Sequence, residues 1–300
     1  MRMREWLVAL MLVGGAASWA QDGEGVFRIV FFTDVHGRTE WGVPEALSNA
    51  AAAIAREKPD LVIGGGDYIT DGFQSAAATV EPRWKVVTDF LDELPRPLEL
   101  AIGNHDLVAA NPEDGTPAAE DPRAIFREKM GVQNTYRSFD AGGYHFILLD
   151  PVDVTRDELQ YRGFISPEQM TWLKEDLART RMTMPVVLVT HMPLVTTFYQ
   201  RTQGGTAAAP QNRVVVNSKD VLDLVAGHKL VLVLQGHLHV KEFTQSRDTT
   251  FLTGGAICGQ WWRGPWQGTE EGFMVVELRG GAVQWRYVDY GWDARRPENE

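Results

Sequence analysis

Gly103-Asn104-His105-Asp106 follows the apolar run Leu98-Glu99-Leu100-Ala101-Ile102. The run reads as a buried strand, and the four residues after it as the loop at its carboxyl end. Ligands collect at such ends in open α/β sheets. Asn104 offers a neutral oxygen, His105 exchanges a proton near neutral pH, and Asp106 is placed to hold that imidazole. The tetrapeptide gains weight because four more clusters of the same kind end other apolar runs.

Upstream, Val26 to Phe32 reads as a central strand ending in Thr33-Asp34-Val35-His36-Gly37. Asp34 and His36 are two apart, which on extended backbone points both side chains one way. Pro44 to Lys58 reads as a helix, and Leu61-Val62-Ile63 as a strand closing on Gly64-Gly65-Gly66-Asp67. Asp71 follows as a turn residue or a support for the site. Glu81 to Leu94 reads as a second helix.

Downstream, Asn111 to Pro122 reads as a loop and Pro122 to Met130 as a short helix. Thr135 to Phe139 and Tyr144 to Leu149 read as a hairpin that makes the sheet mixed, with His145 structural and Asp150 capping a turn or orienting a site residue. Ser166-Pro167-Glu168 opens a helix to about Thr180. Pro185 to Thr190 is a buried strand ending at His191, and Thr196 to Arg213 a long polar loop. Lys219 to Ala226 is helical, and Lys229 to Gln235 is a strand ending in Gly236-His237-Leu238-His239. His237 and His239 are again two apart, and on extended backbone they share one side. Two short strands over Val240 to Phe251 and a hairpin of Gly272 to Leu278 with Ala282 to Val288 close the chain, leaving Asp293 to Glu300 frayed. The intervening Gly254-Gly255 loop carries Cys258, Trp261 and Trp262. Two Trp there either plug the core or line a pocket.

Composition narrows the partners. With 300 residues and 44% hydrophobic side chains, the chain affords a substantial core. A net charge of −11 argues against a large nucleic-acid interface. One cysteine excludes an internal disulfide and a thiolate zinc cluster. Arg2 and Arg4, the apolar Trp6 to Ala17 and the small residues Ser18 and Ala20 have the layout of a signal peptide over 1–20. The expectation is an exported protein, periplasmic or secreted, with no stable membrane anchor and one domain over 21–300. Oligomeric state is not encoded in any of this.

Asp34, His36, Asp67, Asn104, His105, His191, His237 and His239 all fall at strand ends, including five of the seven histidines. Such donors suit borderline divalent or ferric ions, with Mn, Fe and Zn all acceptable. Seven candidates besides His105 are too many for one four-coordinate ion and suit two ions with a bridging carboxylate.

At this point the chain resembles the calcineurin-like metallophosphoesterases, whose signature stands here as Asp34-Val35-His36, Gly66-Asp67, Gly103-Asn104-His105-Asp106, His191 and Gly236-His237-Leu238-His239. The resemblance implies an α/β fold of two face-to-face mixed β-sheets flanked by helices, a four-layer αββα sandwich. It also implies Asp34, His36 and His239 on one metal, Asn104, His191 and His237 on the other, and Asp67 bridging. Asp71 or Asp106 would orient a catalytic His105. Gly72-Phe73, where protein phosphatases carry Arg-Gly, weakens a protein-phosphatase assignment. The Trp-Trp loop resembles exported bacterial members.

Two cations about 3.5–4 Å apart would supply a bridging hydroxide near neutral pH. His105 would protonate the leaving alkoxide as general acid. The expected substrate is a small phosphate mono- or diester. Tyr68, Tyr199, Trp261 and Trp262 would suit a nucleotide or, equally, a core. The rivals are a catalytically silent metal-binding protein and a metal-dependent hydrolase of non-phosphorus esters.

Overall fold

Phe27–Phe32 forms β1, and every residue from Ile29 to Phe32 is buried, so both faces of this strand are covered. Alternation then sorts its side chains: Ile29 and Phe31 join one apolar cluster, Val30 and Phe32 another. The computed structural model describes residues 25–155 and 157–295; the leader expected over 1–20 lies outside the described residues.

In chain order the elements are α1 (Val43–Arg56), β2 (Leu61–Gly64), α2 (Ala77–Glu93), β3 (Leu98–Leu100), α3 (Ala124–Met130), β4 (Arg137–Ala141) and β5 (Tyr144–Leu149). They continue as β6 (Val152–Val154), β7 (Tyr161–Gly163), α4 (Pro167–Arg179), β8 (Pro185–Thr190), α5 (Phe198–Gln203), α6 (Ser218–Val225), β9 (Lys229–Gln235), β10 (Glu242–Ser246), β11 (Thr249–Thr253), β12 (Gly272–Arg279) and β13 (Ala282–Asp289).

Five strands form one sheet in the order β13-β12-β1-β2-β3, and six form the other in the order β10-β11-β9-β8-β5-β4. Both are mixed: β1, β2 and β3 run parallel while β12 pairs antiparallel with β1. In the second sheet β5, β8, β9 and β11 are parallel, with β4 and β10 antiparallel at the edges. Ile29, Phe31, Leu61 and Ile63 of the first sheet pack with Phe146, Leu148, Val187, Val189 and Leu234 of the second, which places the two sheets face to face. Outer residues Val30, Phe32 and Val62 cluster with Leu47, Ile54, Trp84 and Val87 of α1 and α2. Ile147, Leu149, Val186 and Leu188 lie in the same cluster as Leu173 and Leu177 of α4 and Val221 and Val225 of α6. This is the expected four-layer αββα sandwich.

Several local expectations change. Helix α2 begins at Ala77, four residues before Glu81, and runs through Pro82, which lies on its exposed side. The buried face of Val80, Trp84, Val87 and Phe90 outweighs the lost backbone bond. Strand β3 stops at Leu100 rather than Ile102, and Asn104–Asp106 tightens into a 3₁₀ turn. The polar stretch Thr196 to Arg213 is not all loop. The Glu242 carboxylate receives hydrogen bonds from the Thr196 and Thr197 hydroxyls, and α5 follows with Phe198 and Tyr199 packed on Leu238 and Val240. Asp150 accepts from Arg123 and Thr135 and from the Val152 amide, so its carboxylate braces a turn and is spent on partners other than the site histidines. The β6-β7 ribbon carries no clear alternation and is absent from the sequence reading.

Candidate metal centre

All the candidate ligands stand just beyond the carboxyl ends of five strands that are parallel to a neighbour: β1, β2 and β3 in one sheet, β8 and β9 in the other. There the chain must turn sharply. Asp34, His36, Asp67, His237 and His239 have φ of 53°, 45°, 57°, 70° and 57°, in the left-handed region. Non-glycine residues hold this conformation at about 1–3 kcal/mol each, and such strain persists where the surroundings impose it. The imposing bonds run between loops: the Asp34 amide donates to Gly66 O at 3.0 Å and the His36 amide to Asp67 O at 3.0 Å. This backbone is not extended, so the shared direction expected for residues two apart does not follow. Asp34 and His36 do converge, but His237 and His239 part company and join different clusters.

Glycines let these loops meet. A Cβ on Gly103 would collide with the Asp67 carboxylate, and one on Gly236 with the Thr33 hydroxyl.

The proton inventory of the imidazoles decides what the centre is for. A neutral imidazole has one N–H and one lone pair, so a carbonyl against one nitrogen leaves the lone pair on the other. His191 Nδ1 donates to Gly65 O at 2.9 Å and His237 Nε2 to Asn212 O at 2.9 Å. The nitrogens left over, His191 Nε2 and His237 Nδ1, face each other at 3.1 Å, with Asp67 Oδ2 3.0 Å from the former. Three acceptors therefore converge. Likewise His239 Nδ1 donates to Gly259 O at 2.6 Å, leaving Nε2 toward His36 Nε2 and Asp34 Oδ1, each at 3.2 Å. Asp67 Oδ2 lies between the groups, 3.8 Å from His36 Nε2.

The remaining lone pairs point the same way. Asp34 Oδ2 is occupied by the Thr33 hydroxyl at 2.8 Å and the His237 amide at 3.0 Å, while buried Asp34 Oδ1 has no hydrogen-bond donor among the described residues. Asn104 Oδ1 is likewise buried without one. Asp67 Oδ1 accepts the His105 amide at 2.8 Å, which turns Oδ2 to the histidines. Burial without donors is costly, and cations between these atoms would remove the cost.

The electrostatics agree. Burial pushes the Asp67 carboxyl up, but His191, His105 and His36 hold it well below the usual carboxylate range. Asp34 is buried too, and His239 holds it low. Burial pulls His191 down, yet Asp67 outweighs it and lifts the ring to about 9, so the field of the carboxylates favours positive charge at this point. Burial, then His191 and Arg213, pull His237 down to about 3.

His105 stands beside this group, one ring nitrogen within 4.8 Å of donor atoms of His36 and Asp67. Neither carboxylate expected to orient it does so. His105 Nδ1 accepts the backbone N–H of Asp71 at 3.1 Å, which leaves the ring proton on Nε2. The Asp71 side chain is 50% exposed and lies 3.8 Å from Arg83. Asp106 instead accepts the amides of Gly103, Asp67 and Tyr68 at 2.8, 2.9 and 2.7 Å, stitching the Asn104 loop to the Asp67 loop. Burial and then Asp67 push its carboxyl up to about 8.

The two Trp divide the roles offered for them. Trp262 is buried and donates Nε1–H to His36 O at 3.0 Å, whereas Trp261 is 37% exposed with its ring 4.5 Å from that of His239. Tyr68 and Tyr199 are buried. Cys258 is buried with its sulfur 3.8 Å from His239 Nδ1, a position that spacing did not suggest. Arg213 also counts near the site: its charge acts on His237, Tyr161 and Tyr199.

Residues 27–241 match the model of the calcineurin-like phosphoesterases. The chain belongs to that family. Among curated relatives, Purple acid phosphatase 15 of Arabidopsis thaliana is 25% identical over 224 residues, 67% of this chain and 39% of that protein. Purple acid phosphatase 23 of the same plant is 27% identical over 170 residues, 55% of this chain and 33% of its own length. The chain thus spans less than half the length of the curated relatives it matches. Among solved structures, a dimetal phosphatase from Danio rerio superposes with a TM-score of 0.61 at 16% identity, covering 88% of this chain and 99% of that one. GAP50, described as the anchor in the inner membrane complex of Plasmodium, gives 0.56 at 15% identity, covering 88% and 85%. These likenesses establish the fold.

Proposed function

We propose that this calcineurin-like phosphoesterase is an enzyme that hydrolyses a small phosphate mono- or diester with the help of two metal ions. The reading is carried by the convergence of His191 Nε2, His237 Nδ1 and Asp67 Oδ2, acceptors whose outward bonds leave only lone pairs facing inward. On this reading Asp34, His36 and His239 hold one ion, Asn104, His191 and His237 hold the other, and Asp67 serves both. Nitrogen and oxygen donors without thiolate suit Mn, Fe or Zn.

When bound, such ions acidify water and neutralise charge on phosphoryl oxygens. The rest falls to the protein. His105 Nε2–H is aimed to protonate the departing oxygen, because Nδ1 is held as acceptor by the Asp71 amide. Asp106 keeps the loops of Asp67 and His105 in register through its three amide bonds. Arg213 adds positive charge on the His237 side of a protein that is acidic overall.

Fold alone would not justify an enzyme, since GAP50 shares it and is described as an anchor. The intact, oriented His105 favours turnover. The test is to strip and restore metal, then assay p-nitrophenyl phosphate and bis(p-nitrophenyl) phosphate. Metal-dependent release of nitrophenol from at least one, inhibited by inorganic phosphate, is expected. Two bound ions with no turnover of either ester would support the silent protein instead.

A further inference from the structure

We propose that Trp261 is the specificity-determining wall of the site, and that the organic group of the bound ester is a flat aromatic system stacked on its indole. The inference rests on the phosphoester reading above and names the substrate class of that site.

The loop carrying Trp261 leaves β11 after Thr253 and is fastened to the centre at four points. The Ile257 amide donates to Thr33 O at 3.0 Å and the Cys258 amide to Asp34 O at 3.3 Å. Gly259 O receives His239 Nδ1–H at 2.6 Å, and Trp262 Nε1–H reaches His36 O at 3.0 Å. All three proposed ligands of one ion are therefore tied to this loop. Trp261 stands among these anchors with φ of 47°, in the left-handed region that a tryptophan avoids without constraint. The anchors force its indole toward the site, 4.5 Å from the His239 ring and 6.0 Å from the His36 ring.

What is held there is apolar and open. Trp261 is 37% exposed, while Tyr68, Tyr199 and Trp262, the other aromatic residues singled out in the sequence, are buried. A large indole in water beside proposed ion ligands leaves apolar surface for a ligand to cover. Its rigid flat face rewards a flat aromatic partner beyond the area buried. The charged end of the ester is provided for elsewhere, at the ion ligands and on the Arg213 side. The wall also lies outside residues 27–241 that match the family, which suits a feature of substrate choice rather than of shared chemistry.

The test is calorimetric titration of the metal-loaded full chain with three non-hydrolysed ligands: methyl-, cyclohexyl- and phenylphosphonate. The wild type is expected to bind phenylphosphonate about tenfold more tightly than methylphosphonate, and more tightly than cyclohexylphosphonate. Trp261→Ala should bring the phenyl-to-methyl ratio to about one, and Trp261→Phe should retain part of the preference. A phenyl preference that survives in Trp261→Ala would overturn the proposal. So would equal affinity for phenyl and cyclohexyl in the wild type, which would mean apolar cover without stacking. The predicted pattern in a protein that turns over no ester would leave the wall standing and remove the hydrolase; turnover without aromatic preference would do the reverse. Failure of the wild type to bind any phosphonate would remove both.

Discussion

Two buried histidine clusters in this protein both set imidazoles beside carboxylates and differ in what they can do. His145, on β5, has Nδ1 2.6 Å from Asp140 Oδ1 and Nε2 2.8 Å from Asp176 Oδ2, so both nitrogens are spent on carboxylates. Ser138 completes Asp176 with a bond of 2.7 Å. Neither nitrogen is turned toward an open space, and the cluster ties the β4-β5 hairpin to α4. His191, His237 and His239 spend one nitrogen each on a backbone carbonyl and leave the other aimed inward. The lesson is that a carboxylate beside an imidazole does not make a metal site. The partner of the second nitrogen decides, because it fixes where the lone pair points.

Mutations sharpen the contrast, beginning with the largest effect. Asp67→Asn should lose at least one of the two ions by elemental analysis and, with it, all detectable metal-dependent turnover. His105→Ala should keep both ions yet lower kcat on the order of 10²–10⁴-fold on alkyl esters, which need leaving-group protonation most. Unchanged rates on every hydrolysed ester would remove His105 from the chemistry. Asp106→Ala strands three buried amides, so metal affinity should fall about 10–100-fold. Its denaturant midpoint should also drop by the equivalent of about 1–3 kcal/mol. His145→Gln should cost about 1–3 kcal/mol of stability and leave metal content and turnover alone. A loss of bound metal in that variant would erase the distinction between the clusters.

Much of this was legible in the chain. Apolar runs covered on both faces give β1, β8 and β9 away, and the ligand types cluster after them because sheet ends are where side chains from several strands can meet. The αββα layering followed from the family resemblance and stands in the structure. Spacing failed where it assumed extended backbone: His237 and His239 diverge because both sit in left-handed turns. It failed again at His105, whose orienting partner is the Asp71 backbone amide, a group that every residue carries and no sequence pattern marks. The helix of Phe198–Gln203 stayed hidden because its anchor, Glu242, lies forty-odd residues downstream. The separate roles of Trp261 and Trp262 depend on which ring the anchored loop turns inward, and identical neighbouring letters cannot report that.

The most direct measurement is a crystal structure of the metal-loaded protein with anomalous data collected at the metal edge. Two ions are expected, one against Asp34, His36 and His239 and one against Asn104, His191 and His237. Asp67 Oδ2 should lie within about 2.0–2.2 Å of both. A single ion, or a pair in which Asp67 touches only one, would contradict the account.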